Sequence, residues 1–149
     1  MSTVTETSQL EIRTANIDDA QLLFDWRKDP VTQKNSINQN DFSFEQHLEW
    51  LKQSLKNTNR KILIFTKNDV NVGMGRADFD GSHYVLSWLI APESRGQGLG
   101  KVLVSYLIKN FNPSLAYVKN NNIASLKIVK DLDFKKIYEE NEVTTFAYS

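Results

Sequence analysis

Apolar residues recur along the chain with two different spacings, which predict helices and strands respectively. Between residues 44 and 56 they recur every three or four positions, as on one face of an amphipathic helix: Phe44, Leu48, Leu51 and Leu55. Ser43 and Gln46 form a capping box that predicts where this helix begins. Residues 61 to 66 are instead almost continuously apolar and rich in β-branched or aromatic side chains, which predicts a central strand.

The same patterns, followed along the whole chain, predict an α/β fold with a mixed central sheet. Residues 1 to 8 are polar and predict a flexible tail, so the predicted domain spans residues 9 to 149. The predicted elements are a strand at 10–13, a helix from 17 that ends before Pro30, a polar loop at 29–41, a helix at 44–56, strands at 61–66, 72–79 and 83–91, a helix at 101–111, a strand at 115–118, a helix from 123, and strands at 134–138 and 143–148. This order indicates a single domain with about seven strands and about four flanking helices.

Composition narrows the classes of function. Of the 149 residues, 40% are hydrophobic and 24% are charged, which is ordinary for a globular domain of this length. No membrane-spanning apolar stretch and no secretory signal is present, so we expect a cytoplasmic protein without a membrane partner. The absence of cysteine excludes disulfides, thiolate metal sites and a cysteine acyl-enzyme. We expect no metal. The sequence has no basic stripe with interleaved aromatic residues, so we expect no nucleic-acid partner either.

A glycine-rich turn, Arg95-Gly96-Gln97-Gly98-Leu99-Gly100-Lys101, joins the predicted strand 83–91 to the following helix. Glycines at alternate positions let several backbone N–H groups converge on one anion. The spacing is neither that of a P-loop, because Lys101 is followed by Val102, nor that of a dinucleotide fingerprint. Residues 95 to 136 carry eight basic and two acidic side chains in a chain of zero net charge, which favours a polyanionic cofactor.

This turn resembles the Arg-x-x-Gly-x-Gly acetyl-CoA signature of the GCN5-related N-acetyltransferase (GNAT) superfamily. A second block, from Asn122 and Ser125 to Leu132-Asp133-Phe134, is similar to the superfamily's Asn-x-x-Ser…Gly-Phe block. The resemblance implies the GNAT fold, acetyl-CoA as cosubstrate, and two splayed strands that leave a slot for the thioester. It also implies a set of cofactor contacts: Leu89, Ile90, Ala91, Arg95, Gly96, Gln97, Gly98, Leu99, Gly100, Lys101, Asn122 and Ser125.

The N-terminal half resembles a narrower group within the superfamily. Phe24 to Pro30, Ser36, and Ser43 to Trp50 look like bacterial GNAT enzymes that acetylate an amine on nucleotide-activated deoxyamino sugars. This implies direct transfer of the acetyl group from acetyl-CoA to the primary amine of such a sugar, for surface glycan synthesis. Acetylation of a protein N-terminus or another small amine is an alternative, and so is a non-catalytic acyl-CoA sensor. The oligomeric state is open, with a homodimer as one option.

Departures from the family pattern leave the catalytic acid and base open. Val129 stands where many members have the tyrosine that protonates the leaving thiolate, and residues 85 to 88 lack the strand glutamate often used as base. Asp133 replaces glycine in the Gly-Phe pair, although Asp tolerates positive φ better than most residues. Histidine is the natural base near neutral pH. The replacement candidates are two histidines as base and two tyrosines as acid: His47, His83, Tyr117 and Tyr106.

The predicted acceptor contacts are charged or aromatic side chains on the helices and strands before the turn: Arg27, His47, Trp50, Arg76 and Asp78. Arg27 suits the phosphate of a sugar nucleotide, but it also fits as a helix-end partner of Asp29. His47 lies beside the apolar stripe of its helix and fits either a base or a packing histidine. A backbone N–H near Ile90, on a strand expected to be bulged, is implied as the oxyanion donor.

Overall fold

In the computed structural model, which describes residues 10–38 and 40–149, seven strands form one mixed sheet. The predicted tail, residues 1 to 8, lies outside these residues. The strands are β1 (Leu10–Thr14), β2 (Arg60–Lys67), β3 (Val70–Phe79), β4 (Tyr84–Ile90), β5 (Ser114–Lys119), β6 (Lys135–Glu140) and β7 (Val143–Tyr148). They lie in the order β1-β2-β3-β4-β5-β7-β6, and only β4 and β5 pair in parallel. The predicted α/β class and seven-stranded sheet are confirmed.

The described residues form five helices, where the sequence predicted about four. They are α1 (Ala20–Lys28), α2 (Pro30–Asn35), α3 (Phe44–Lys56), α4 (Leu99–Asn110) and α5 (Ile123–Asp131), with short 3-10 turns at 17–19 and 92–94. The extra helix is α2, which occupies the first part of the predicted polar loop. Pro30 ends α1 as predicted, but it also begins α2, because a first helical residue needs no N–H donor. Asp29 caps the new helix by accepting from the Thr32 N–H at 3.1 Å.

The helices form one layer on each face of the sheet. Alternate strand residues point to opposite faces, so each central strand contributes to both layers. Helices α4 and α5 cover the face that holds the larger core, with these buried members: Leu103, Val104, Leu107, Val129, Leu86, Ala116 and Val118. Helices α1 and α3 cover the other face, which holds a second core with these buried members: Leu23, Trp26, Leu51, Ile62, Ile64 and Met74. We call the face covered by α1 and α3 the acceptor face, after the predicted acceptor contacts.

Two glycines on β3 allow its neighbours to approach closely. A Cβ at Gly73 would lie 2.8 Å from the Leu89 carbonyl oxygen, and one at Gly75 would lie 3.0 Å from a methyl of Leu107 on α4. The sequence predicted a bulge or a close approach at this pair. The structure has the close approach, and the β2–β3 register also shifts beside Gly73, between Phe65 and Thr66. The register between β3 and β4 is regular over the whole pairing, so the expected bulge in β4 is absent.

Strands β4 and β5 pair over only three residues and then diverge. The last register pair is Leu86 with Ala116, although β4 continues to Ile90 and β5 to Lys119. The divergence leaves one edge of β4 without a neighbouring strand, which is the slot implied by the family resemblance. Because Leu86 and Ala116 point into the larger core, the next residues, Ser87 and Tyr117, lie on the acceptor face at the two walls of this slot.

Candidate active site

The glycine-rich turn uses two glycines for backbone conformation. Gly96 has a φ of +78° and Gly98 a φ of +75°, and a Cβ on either would meet no atom within 4 Å. Both positions therefore need glycine because of the left-handed backbone, and both leave open space above the turn. Helix α4 begins at Leu99 with Gly98 as its N-cap, and no side chain caps its first turn. Uncapped N–H groups at the positive end of a helix suit an anion.

Gly100 has a different role from the other two glycines of the turn. It lies inside α4, where a Cβ would come within 2.8 Å of the Ile128 Cδ1 atom on α5. Gly100 thus lets α4 and α5 pack closely, whereas the sequence interpretation grouped it with the turn glycines that expose amides. Lys101, the last residue of the motif, is exposed on the first turn of α4.

Arg95 directs its guanidinium toward helix α2. Its Nη2 atom donates to Asp29 Oδ2 at 2.6 Å and to Thr32 Oγ1 at 3.2 Å. Burial by itself raises the pKa of Asp29, but hydrogen bonds from Arg95 and Thr32 outweigh burial and hold that pKa below its usual value. The side chain predicted to contact the cofactor is therefore engaged with the segment between α1 and α2.

The end of β4 offers a backbone donor to the slot. The N–H of Ala91 donates to the Val72 carbonyl at 2.8 Å, on the side of β3. Because an antiparallel ladder alternates hydrogen-bonded and non-hydrogen-bonded pairs, the N–H of Ile90 points away from β3 and toward the slot. Ladder alternation thus points the N–H of the predicted oxyanion donor toward the slot without a bulge.

The start of α5 forms the opposite side of the cofactor region. Asn122 caps α5, since its Oδ1 accepts from the Ser125 N–H at 3.2 Å. Ser125 Oγ in turn accepts from the indole Nε1 of Trp88, also at 3.2 Å. Sequence reasoning did not single out Trp88, whose indole contacts the predicted cofactor residue Ser125. The signal that could have found it is its place on β4, two residues before Ile90 and on the α5 side of the sheet.

All five side chains predicted to contact the acceptor lie in one cluster. Arg27 Nη1 is 3.2 Å from His47 Nδ1, and the Arg27 guanidinium lies 5.1 Å from the centroid of the Trp50 ring. The Arg76 guanidinium lies 5.7 Å from the same ring, and its Nε is 3.2 Å from Asp78 Oδ2. The chain therefore brings helix α1, helix α3 and strand β3 to one place on the acceptor face.

Arg60 is a sixth member that sequence reasoning missed. Its Nε donates to Asp78 Oδ1 at 2.9 Å, and its guanidinium lies 5.7 Å from the Trp50 ring. Arg60 and Asp78 are register partners in the β2–β3 hairpin, so the period of the two strands could have revealed the pair. We call these six side chains the arginine cluster: Arg27, His47, Trp50, Arg60, Arg76 and Asp78.

The arginine cluster holds three guanidinium groups and one carboxylate. Asp78 is shared by Arg60 and Arg76, while Arg27 forms no ion pair with any residue that the structure describes. Burial lowers the pKa of Arg27, and the charge of Arg76 lowers it further. Burial also lowers the pKa of Arg76, while the charge of Asp78 opposes that shift. Incompletely neutralised cations make this part of the acceptor face positive.

The arginine cluster lies beside the slot. Arg76 is the register partner of Ser87, the first β4 residue beyond the pairing with β5. An acceptor held by the cluster can therefore reach the slot from the acceptor face, while the glycine-rich turn lies at the far end of β4. Two adjacent sites, one at a helix N-terminus and one cationic, meet at the point where the strands diverge.

Residues 9–135 match the family model described as the acetyltransferase (GNAT) domain. The chain belongs to the GNAT acetyltransferase family. It is an acetyl-CoA-dependent N-acetyltransferase, which confirms the predicted family, enzyme class and cosubstrate. No curated protein sequence gives a significant match.

Solved structures show the same fold at low identity. A domain from Methanocaldococcus jannaschii is 24% identical, with 93% of this chain and 97% of that chain covered and a TM-score of 0.80. Campylobacter jejuni N-acetyltransferase PseH in complex with acetyl coenzyme A is 19% identical, with 94% and 98% covered and a TM-score of 0.73. Vibrio cholerae spermidine N-acetyltransferase with CoA and spermine is 14% identical, with 94% of each chain covered and a TM-score of 0.78.

His47 is an interior residue of this GNAT domain. Only 1% of its surface is exposed, and the rings of Phe24, Phe42 and Trp50 lie 5.6, 6.0 and 5.7 Å from its own. Burial and the charge of Arg27 together lower its pKa to about 4, with burial the larger cause, although the Ala20 carbonyl opposes them. An enclosed imidazole of that basicity suits a neutral acceptor for the Arg27 N–H better than a base for an amine.

The other proposed acids and bases are distributed around the GNAT fold. His83 lies in the turn before β4, at the end of the strand away from the glycine-rich turn, and its Nδ1 contacts Ser82 Oγ at 2.9 Å. Tyr106 packs edge-on against Phe65 of β2, with 5.7 Å between the rings, so it is not at the slot. Tyr117 is 46% exposed at the slot wall. The structure therefore brings only Tyr117 of these three to the site.

Two substituted family positions have structural explanations. Val129, at the usual tyrosine position, is fully buried in the core between α5 and the sheet. Asp133, at the usual glycine position, has a φ of +65°, so the chain keeps the left-handed turn without glycine. Within residues 10–38 and 40–149, no group of three or more His, Asp or Glu could hold a metal ion, and no helix has the length and apolarity to span a bilayer.

Proposed function

We propose that this GNAT enzyme acetylates a primary amine on an anionic acceptor, a nucleotide-linked amino-deoxysugar used for surface glycan synthesis. The observation that carries the proposal is the charge of the arginine cluster, where Arg27 and Arg76 share one aromatic ring and only Asp78 supplies negative charge. The diphosphate of a sugar nucleotide would supply the negative charge that the arginine cluster lacks.

Electrostatics supports an anionic acceptor over a polyamine. Two unit charges roughly 10 Å apart repel by about 1.7 kcal/mol at an effective dielectric constant of about 20. A polycation at the arginine cluster would add repulsion of this size from each unpaired guanidinium, whereas a phosphate would gain a comparable attraction. Arginine also binds phosphate oxygens with two parallel N–H donors, which would orient the sugar and its amine.

The chain's own groups suit direct transfer at the slot. Acetyl-CoA supplies the acetyl group as an activated thioester. The uncapped first turn of α4 would hold the diphosphate of the cofactor, and the N–H of Ile90 would donate to the carbonyl oxygen as negative charge develops there. Tyr117, half-exposed at the slot wall, is the group we assign to protonate the departing thiolate. Orientation of amine and thioester can by itself remove about 7 to 11 kcal/mol of the barrier.

We assign His47 to positioning rather than to proton transfer. Its Nδ1 faces Arg27 Nη1 at 3.2 Å, and an arginine N–H can only donate, so Nδ1 is the acceptor of this contact. The ring stacks on Trp50 with an interplanar angle of 27°. His47 therefore fixes the direction of Arg27 toward the acceptor while remaining neutral at pH 7.

An acceptor screen tests the proposal. The panel contains UDP- and dTDP-linked 4-amino-4,6-dideoxysugars, the same amino sugars without nucleotide, spermidine, and a peptide with a free N-terminus. Release of CoA thiol from acetyl-CoA is the measurement. We expect kcat/KM for a sugar nucleotide to exceed that for its free sugar by at least tenfold. Highest activity on spermidine or on the peptide would refute the anionic acceptor, and acetyl-CoA binding without thiol release from any amine would favour a sensor.

A further inference from the structure

Helix α2 is attached to both walls of the slot by long-range polar contacts. At its start, Arg95 of the glycine-rich turn reaches Asp29 at 2.6 Å and Thr32 at 3.2 Å. At its last turn, Lys119 Nζ at the end of β5 donates to the Lys34 carbonyl at 2.8 Å. Because the glycine-rich turn follows β4, α2 connects the ends of the two strands whose divergence forms the slot.

The same helix is continuous with the acceptor site. Asp29 directly joins α1 to α2, and Arg27 of the arginine cluster precedes it by two residues. Displacing Asp29 would therefore displace Arg27, since the intervening backbone belongs to the end of α1. On the other side, Arg95 directly precedes Gly96, whose left-handed backbone opens the turn.

We propose that Asp29 and Arg95 form a positioning pair through which acetyl-CoA at the glycine-rich turn and the acceptor at the arginine cluster favour each other's binding. The inference rests on the proposed function for the location of the acceptor. Asp29 and Arg95 contact neither reacting group; they set the position of α2, and α2 sets the position of Arg27. By thermodynamic linkage, the factor by which acetyl-CoA raises the affinity for the acceptor equals the factor by which the acceptor raises the affinity for acetyl-CoA.

The physical basis is the accessibility of the turn to an anion. Gly96 and Gly98 have left-handed backbone, and no atom lies within 4 Å of a would-be Cβ on either, so the space above the turn is open to a diphosphate. A diphosphate that accepts hydrogen bonds from the N–H groups of the turn would limit the motion of its backbone. Because Arg95 belongs to the turn and binds Asp29, the motion of α2 would be limited as well. The acceptor would then bind a site that has already lost conformational entropy, so its own binding would cost less free energy. This is positive coupling without a large structural change.

Amide hydrogen exchange of residues 31 to 35, measured with and without saturating acetyl-CoA, tests the coupling directly. We expect acetyl-CoA to slow exchange in this segment at least threefold in the wild type, and this protection to be lost in Asp29→Asn. Asn caps a helix as well as Asp does, so the variant retains α2 and removes only the charge that Arg95 binds. Asp25→Asn is the matched control, because Asp25 is an exposed α1 carboxylate that accepts a hydrogen bond from Gln21 of the same helix.

Kinetics provides the second measurement. Asp29→Asn and Arg95→Gln should each raise the acceptor KM about tenfold with less than threefold change in kcat, and the double variant should be no worse than either single one. Unchanged exchange of α2 in wild-type protein saturated with acetyl-CoA would overturn the proposal, as would equal effects of Asp29→Asn and Asp25→Asn. The exchange measurement needs no acceptor, so its failure is distinguishable from failure of the acceptor screen.

Discussion

Arg27→Gln provides the sharpest test of the arginine cluster, because the structure predicts a large loss of catalysis with almost no change in stability. A hydrogen bond between a charged donor and an anion contributes about 1.5 to 3 kcal/mol, and each 1.4 kcal/mol is a factor of ten. The variant should therefore lose about 10- to 100-fold in kcat/KM for an anionic acceptor. Its affinity for acetyl-CoA should be unchanged, since the cofactor turn lies at the other end of the slot.

The stability of the same variant should hardly change. Loss of Arg27 removes its contacts with the rings of Phe42 (4.2 Å) and Trp50 (5.1 Å), each worth about 0.5 to 1 kcal/mol. It also removes repulsion from Arg76, of about 1 to 2 kcal/mol at an effective dielectric constant of about 20. The two effects offset each other, so we expect the Tm to shift by less than about 4 °C.

The assay compares one amino sugar with and without its nucleotide, using thiol release in both cases. The loss should be confined to the nucleotide-linked form, with less than twofold change for the free sugar. Lys52→Gln, which removes an exposed positive charge from α3, controls for the change in net charge. Equal losses on the charged and uncharged acceptors, or no loss on either, would refute the counter-charge argument.

Three further predictions concern the cofactor turn, protonation and the proposed acid. Gly98→Ala should weaken acetyl-CoA binding at least tenfold in calorimetry, because of its φ of +75° and the methyl group placed over the turn. Gly100→Ala should weaken it far less, because Gly100 is helical and the atom nearest its would-be Cβ, Ile128 Cδ1 at 2.8 Å, is the end of a side chain that can move. The pKa of His47 is about 4 in the folded protein against 6.5 for a free histidine, so between these pH values the unfolded chain binds a proton that the folded chain does not. The free energy of unfolding should therefore fall by up to about 3 kcal/mol as the pH drops from 6.5 to 4. Urea titrations of His47→Gln should show a weaker dependence on pH. Tyr117→Phe should lower kcat at least tenfold with little change in either KM, and a normal kcat would remove Tyr117 from the mechanism.

Short-range patterns in the sequence predicted most of the fold. The Ser43–Gln46 capping box and the glycine-rich turn between a strand and a helix are both present, because each depends on residues within a few positions of one another. Helix α2 was missed because its signal, a proline at the first helical position after an aspartate, was interpreted as a helix end only. The slot, in contrast, was implied by the family resemblance rather than by periodicity.

The sequence by itself determined the strand order along the chain, the glycine-rich turn and the residue types of the acceptor site. Only the tertiary structure decided that His47 is enclosed, that Arg60 joins the cluster, and that Arg95 binds Asp29, 66 positions earlier in the chain. The physical reason is that turns and caps are set by neighbouring backbone, whereas burial and charge pairing depend on which distant surfaces the sheet and helices bring together. The function proposed here depends on both, since the turn is local and the arginine cluster is not.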